Sequence, residues 1–242
     1  MLLSSLLFSF ALAAAPKDVV GAERPHQTIK ARTKTPAGDA EATCMTFDRF
    51  AVVVTDVADT KGSDGTEIRD RVGGMKDDAL CAAAFTGPKR GLKRGDGLAT
   101  GYFLAVKGPI VLLRGDDGFG AHDDLTIFRA SDGAMLLSTT RFMSQPIVLK
   151  NRGDVVSAQY LQALKVGCDL RAAGVAHETC VNQVRADNGI AADVKLDLDV
   201  TKACKRVAKG TNIQLGVPAV IADGNAPVVR VLAGKVFCDG EP

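Results

Sequence analysis

A chain of 242 residues with 46% apolar side chains can bury a full core, which excludes a disordered or low-complexity polymer. Its 30 basic and 28 acidic side chains leave a formal net charge of +2, so no global field draws it to nucleic acid or anionic lipid. With no Trp and only two Tyr, a base-stacking platform or a sugar-binding aromatic surface is poorly supported.

The first segment, Met1 to Ala15, carries no charge, and its apolar run ends in the small residues Ala11-Leu12-Ala13. This pattern predicts a signal peptide cleaved near Ala13–Ala15. The run is too short to span a bilayer, and no Cys follows it to carry a lipid. The mature chain is therefore expected in the periplasm or outside the cell, and not membrane-spanning once the signal is removed. Pro16–Glu41 mixes Lys, Arg, Pro, Thr and Ala without apolar periodicity and reads as a flexible tether. Residues 42–242 are then expected to form a single β-rich domain.

Order is expected from Cys44, where Met45–Val57 alternates and runs into Phe50-Ala-Val-Val-Val-Thr55, the composition of a buried strand. Further strands are predicted at Glu67–Val72 and at Ala79–Phe85, with Cys81 inside the latter. After the glycine-rich loop Gly87–Gly97 comes the densest strand pattern, at Tyr102–Lys107, Pro109–Arg114, Asp124–Arg129 and Ala134–Phe142. The turns between them are Gly108-Pro109, Asp116-Asp117-Gly118 and Ser131-Asp132-Gly133, where Gly133 can take positive φ after a type I turn. Val155–Val166 starts with β-branched residues, which favour a strand over a short helix. Helices are predicted at Glu178–Arg185, ending at Asn188-Gly189, and at Thr201–Lys209, with Asp199 or Thr201 as N-cap. Two strands, Asn212–Ala222 and Ala226–Phe237, close the chain. The fold class is mainly β: an antiparallel meander forming a sandwich, barrel or propeller-like sheet domain with a few short helices. Phe103, Val111, Leu113, Ile127, Leu136 and Val229 are expected in one core.

Six cysteines in an exported chain read as disulfides, since they show no Cys-x-x-Cys spacing for zinc. Of the fifteen possible pairings, the consecutive one is favoured: Cys44–Cys81, Cys168–Cys180 and Cys204–Cys238. The main chemical candidate is the acidic loop from Asp116 to Asp124. Its carboxylates Asp116, Asp117, Asp123 and Asp124, beside His122, suit a hard cation such as calcium, although the spacing is not that of an EF-hand. His177 and Cys180 are spaced like a Cys–His nucleophile pair, but Cys180 is better used in a disulfide. No Gly-x-Ser-x-Gly motif is present and no catalytic residue is singled out.

The run Tyr102-Phe-Leu-Ala-Val-Lys-Gly-Pro109, then Asp117-Gly-Phe-Gly-Ala121, Ile127-Phe128, Ser131-Asp-Gly133, Tyr160, Cys168-Asp-Leu170 and Cys180 resembles a family of secreted proteobacterial proteins of unknown activity. The resemblance covers the chain from about Cys44 onward and implies an exported, disulfide-bonded β protein. The functional expectation is a binding or envelope-associated protein without a cofactor. The alternative is a metal-assisted hydrolase using calcium in the 116–124 loop.

Overall fold

In a computed structural model of the chain, the described residues are 18–35, 38–57, 65–94, 97–99, 101–115, 122–152, 155–196, 198, 200, 204, 213–222 and 229–240. The signal segment, Asp116 and Asp117, and the expected 201–209 helix apart from Cys204 lie outside them. The fold is mainly β, with two named helices among the described residues. In chain order the elements are β1 (Val19–Val20), β2 (Gln27–Thr35), β3 (Gly38–Thr46), β4 (Phe50–Val57), β5 (Gly65–Asp70) and α1 (Asp77–Thr86). Next come β6 (Arg90–Gly91), β7 (Lys93–Arg94), β8 (Gly97–Leu98), β9 (Tyr102–Lys107), β10 (Ile110–Arg114), β11 (His122–Arg129) and β12 (Met135–Phe142). The chain closes with β13 (Ile147–Arg152), β14 (Val155–Leu164), α2 (Val175–Asp187), β15 (Ile213–Ala222), β16 (Val229–Val231) and β17 (Phe237–Gly240). The described residues fall into two compact units, the first within Ala22–Asp116 and Thr126–Leu137, the second within Lys17–Gly21, Asp117–Leu125 and Ser138–Pro242.

The first unit contains the antiparallel sheet β2-β3-β4-β5-β6. Its β2 corrects the expected tether, because Gln27–Thr35 pairs with β3 residue by residue from Gln27↔Thr46 to Thr35↔Gly38. A strand paired along one edge needs no continuous apolar stripe. Ile29 is the apolar contact here, and Lys30 on the solvent side forms an ion pair with Glu41. The β4 run is apolar on both faces because both are covered. Ala51 and Val53 pack with Cys44, Leu80, Cys81 and Ala84, while Phe50, Val52 and Val54 pack with Met45, Ile68, Val111, Leu113 and Phe128.

Helix α1 corrects the strand expected at Ala79–Phe85. Asp77 and Asp78 occupy its first turn, where the helix dipole favours negative charge, and the buried residues Leu80, Cys81 and Ala84 follow helical spacing. Arg71 anchors its start, donating to Phe47 O at 2.8 Å and to Asp77 Oδ1 at 2.5 Å, and also to Met75 O. The guanidinium holds the Asp77 carboxyl below the usual range. The disulfide Cys44–Cys81 fastens the helix to β3 with a Cα separation of 5.8 Å.

The meander strands lie where the alternation puts them. Gly133 has φ of 71°, and a Cβ there would stand 2.5 Å from Gly91 O, so both the turn and the close approach require glycine. Arg90 secures the same corner with a fork onto Asp70 at 2.9 and 2.6 Å and a bond to Ala130 O at 3.0 Å.

The second unit is built on two long antiparallel strands, β14 and β15, paired from Ser157↔Ala222 to Leu164↔Leu215. The other edge of β14 is shared by β13 and then β12. The outer edge of β15 is shared by β17 and β16, which corrects the single strand expected at Ala226–Phe237. Pro218 supplies the reason. Its carbonyl accepts from Leu232 N at 2.7 Å on that outer edge, so its missing N–H falls on the same edge, between the two short partners. A Cβ on Gly234 would lie 2.9 Å from Pro218 Cγ, so the connecting chain needs glycine to pass. Helix α2 packs Cys180 and Val184 among Leu164, Leu170, Ile190, Leu215 and Val217, with the disulfides Cys168–Cys180 and Cys204–Cys238 at 5.6 and 5.3 Å between Cα atoms.

All six cysteines are thus paired consecutively, as expected. The single core is corrected: apolar side chains form separate clusters, and Phe103, Leu136 and Val229 are only half-buried while Val111, Leu113 and Ile127 are buried. Strand β1 pairs in parallel with β13, where Ile147 N donates to Asp18 O at 2.8 Å. Gly21 has φ of 80°, and a Cβ there would sit 2.3 Å from Leu149 O. Gly21→Ala is therefore expected to dislodge β1, read as faster hydrogen exchange at the Ile147 amide; unchanged protection there would contradict this account.

Candidate functional site

The acidic segment is the first site to test. Asp116 and Asp117 lie outside the described residues, but Asp123 and Asp124 fall on β11, which begins earlier than the expected Asp124. Consecutive strand residues point to opposite faces, so these two carboxylates do not converge on one ion. Asp123 is turned inward with no exposed side-chain surface and meets Arg141 through both oxygens, Nε to Oδ1 and Nη2 to Oδ2, each at 2.9 Å. Asp124 accepts a long bond of 3.5 Å from Thr140 Oγ1. Among the described residues no group of three or more His, Cys, Asp or Glu is placed to hold a metal ion. His177 is half-buried with Nδ1 at 3.1 Å from Leu170 O, and Cys180 is in its disulfide.

Arg141 is the largest of the fully buried side chains described, and a polar network surrounds it. It pairs across β12 and β14 with Gln162, whose Oε1 accepts from Thr139 Oγ1 at 2.7 Å and from the Tyr160 hydroxyl at 2.9 Å. Gln162 Nε2 donates onward to Ala163 O at 3.1 Å. Burial pushes the Tyr160 phenol up to about 12. The Asp123–Arg141 pair is fully buried, whereas the bonds around Gln162 are partly buried.

A different place in the first unit is open to solvent. Thr43 and Val54 are direct partners across β3 and β4, so Thr43, Met45, Val54 and Asp56 share one face of that pair. With Tyr102 and Phe103 from the start of β9 they line a cleft of about 230 Å³. Met45 and Val54 are buried core residues and form its apolar floor, while Asp56 is exposed. Gly101 brings the chain to this spot with φ of 126°, and a Cβ there would lie 2.3 Å from Arg114 O. Arg114, the register partner of Tyr102 on β10, carries its guanidinium 5.0 Å from the ring centroid. Tyr102 is 41% exposed and is the one aromatic side chain among the exposed large apolar residues described. Strand alternation had placed Tyr102 and Phe103 in a strand without showing that β3 and β4 lie beside them, so this cleft has no signature in the sequence.

No family model, curated protein or solved structure matches the chain.

Two outcomes follow from the buried network. Asp123→Ala leaves the Arg141 charge without its carboxylate and is expected to cost about 3–5 kcal/mol in urea unfolding, whereas Asp123→Leu with Arg141→Met is expected to recover most of that loss. A single variant as stable as the parent would show the pair to be irrelevant. Because the folded-state value of Tyr160 is raised to about 12, the folded protein keeps that proton after the unfolded chain has released it. Stability is then expected to be intact below pH about 10 and to fall as pH rises towards about 12, with the Tyr160→Phe variant losing less over that window.

Proposed function

We propose that this is an exported binding protein, working in the periplasm or outside the cell. The observation that supports export is the pairing of all six cysteines in three disulfides, since such bonds form and persist in oxidising compartments. Each closes a loop that adds about 3–4 kcal/mol in the chain-entropy model, a contribution suited to a protein whose apolar residues are divided among separate clusters. The uncharged, apolar Met1–Ala15 segment agrees with the same destination. Binding rather than catalysis is favoured because the charged groups Asp123 and Arg141 of the second unit are committed to each other in a buried pair. The open cleft of the first unit instead offers apolar floor, rings and a carboxylate.

The reading is tested by fractionating native cells and mapping peptides without reductant. The expected result is a chain lacking residues 1–15, found outside the cytoplasm, with no thiol open to alkylation and with the 168 and 180 peptides linked. An intact Met1 in the cytosol with six alkylated cysteines would overturn it.

A further inference from the structure

We propose that the cleft over β3, β4 and β9 binds a small organic cation, a primary ammonium carried on an apolar or aromatic body. This deepens the binding role proposed above and rests on it. The floor, Met45 and Val54, is continuous with the buried core of the first unit and held at 8% exposure, so it is preformed and presents a thioether and a methyl surface to an apolar group. The volume of about 230 Å³ falls below the range of roughly 300–1,000 Å³ for drug-sized ligands, which restricts the occupant to a small molecule.

The polar lining decides the sign of the ligand's charge. Among the described lining residues Asp56 is the charged one and Thr43 carries a hydroxyl, and both can accept hydrogen bonds from an ammonium. A carboxylate offers about four lone-pair positions, so Asp56 can receive a ligand N–H while keeping contacts within the protein. The two rings act in the same direction. Aromatic faces attract cations, as the Arg114 guanidinium 5.0 Å from the Tyr102 centroid shows, and a ligand ammonium would have to use ring surface that Arg114 does not cover, with Asp56 offsetting the Arg114 charge. Phe103 stands next to it in the lining. Tyr102 is also the exposed aromatic noted above, in a chain with two Tyr and no Trp, and it is located at this cleft. An anion drawn instead by Arg114 is the competing outcome, so the test includes one.

The experiment titrates isotope-labelled mature protein with 2-phenylethylammonium, with phenylacetate and with 2-phenylethanol, following backbone amide shifts. Expected is saturable binding of the ammonium at millimolar or lower concentration, with the largest shifts at Thr43, Met45, Val54, Asp56, Tyr102 and Phe103 and little response to the other two probes. Asp56→Asn, a change at an exposed position, is expected to weaken ammonium binding at least tenfold, and Tyr102→Ala to weaken it several-fold. Phenylacetate binding as well as the ammonium, unaltered affinity in Asp56→Asn, or no saturation by the ammonium would each overturn the assignment. The wider reading fails separately. A protein that is exported and fully disulfide-bonded but ignores the ammonium keeps its proposed destination and loses only this ligand, whereas free thiols and a cytosolic location defeat the wider reading whatever the titration gives.

Discussion

The buried ion pair between Asp123 and Arg141 sets the constraint around which the second unit is arranged. A guanidinium with 2% of its side chain exposed is tolerated only where a carboxylate and hydrogen bonds replace its water. Asp123 supplies the carboxylate in a two-bond fork, and the surrounding positions follow from it. Side chains alternate along a strand, so a slip of one residue in β11 or β12 would send a charge to the opposite face and leave its partner alone. Gln162, the register partner of Arg141 on β14, accepts from the hydroxyls of Thr139 and Tyr160. Replacing such a pair by apolar residues is often harmless, so its contribution is to define a single register more than to add stability.

Around that register the disulfides act as staples. Cys44–Cys81 joins β3 to a helix whose buried face, Leu80, Cys81 and Ala84, is narrow for its length. In the second unit Cys180 and Cys204 are buried within one apolar cluster, with Cys168 and Cys238 packed at its border, so both bridges also fill the core. The last strand, β17, pairs with β15 from Gly216↔Phe237 to Ile213↔Gly240, and Cys238 lies inside that ladder. Each bridge thus acts on an element with modest packing of its own.

Much of the architecture is legible in the chain. The meander strands are marked by short apolar runs and by turns whose geometry is local, such as Gly133 with positive φ. Consecutive disulfide pairing is legible too, because cysteines near one another in sequence have the shortest loops to close. Other features leave little trace. Gln27–Thr35 is polar on its exposed side and gains its order from β3, so composition suggests a tether. Ala79–Phe85 is an apolar run of strand length, and only its cover over β3 and β4 makes helix the better solution. Asp123 and Asp124 are adjacent in sequence, yet strand alternation along β11 sends them to opposite faces.

By itself, then, the sequence determined the secondary structure wherever local signals govern it, in strand alternation and glycine turns, and it showed six cysteines with an apolar N-terminal segment. Tertiary structure alone decided which carboxylate meets Arg141, which strand edge receives β2, and that Tyr102 and Phe103 flank the face carrying Thr43 and Asp56. The physical reason is the reach of the interactions. Turn and strand preferences act over a few residues, whereas ion pairs, edge pairing and cleft walls join residues tens of positions apart, whose proximity exists only once the sheets have formed.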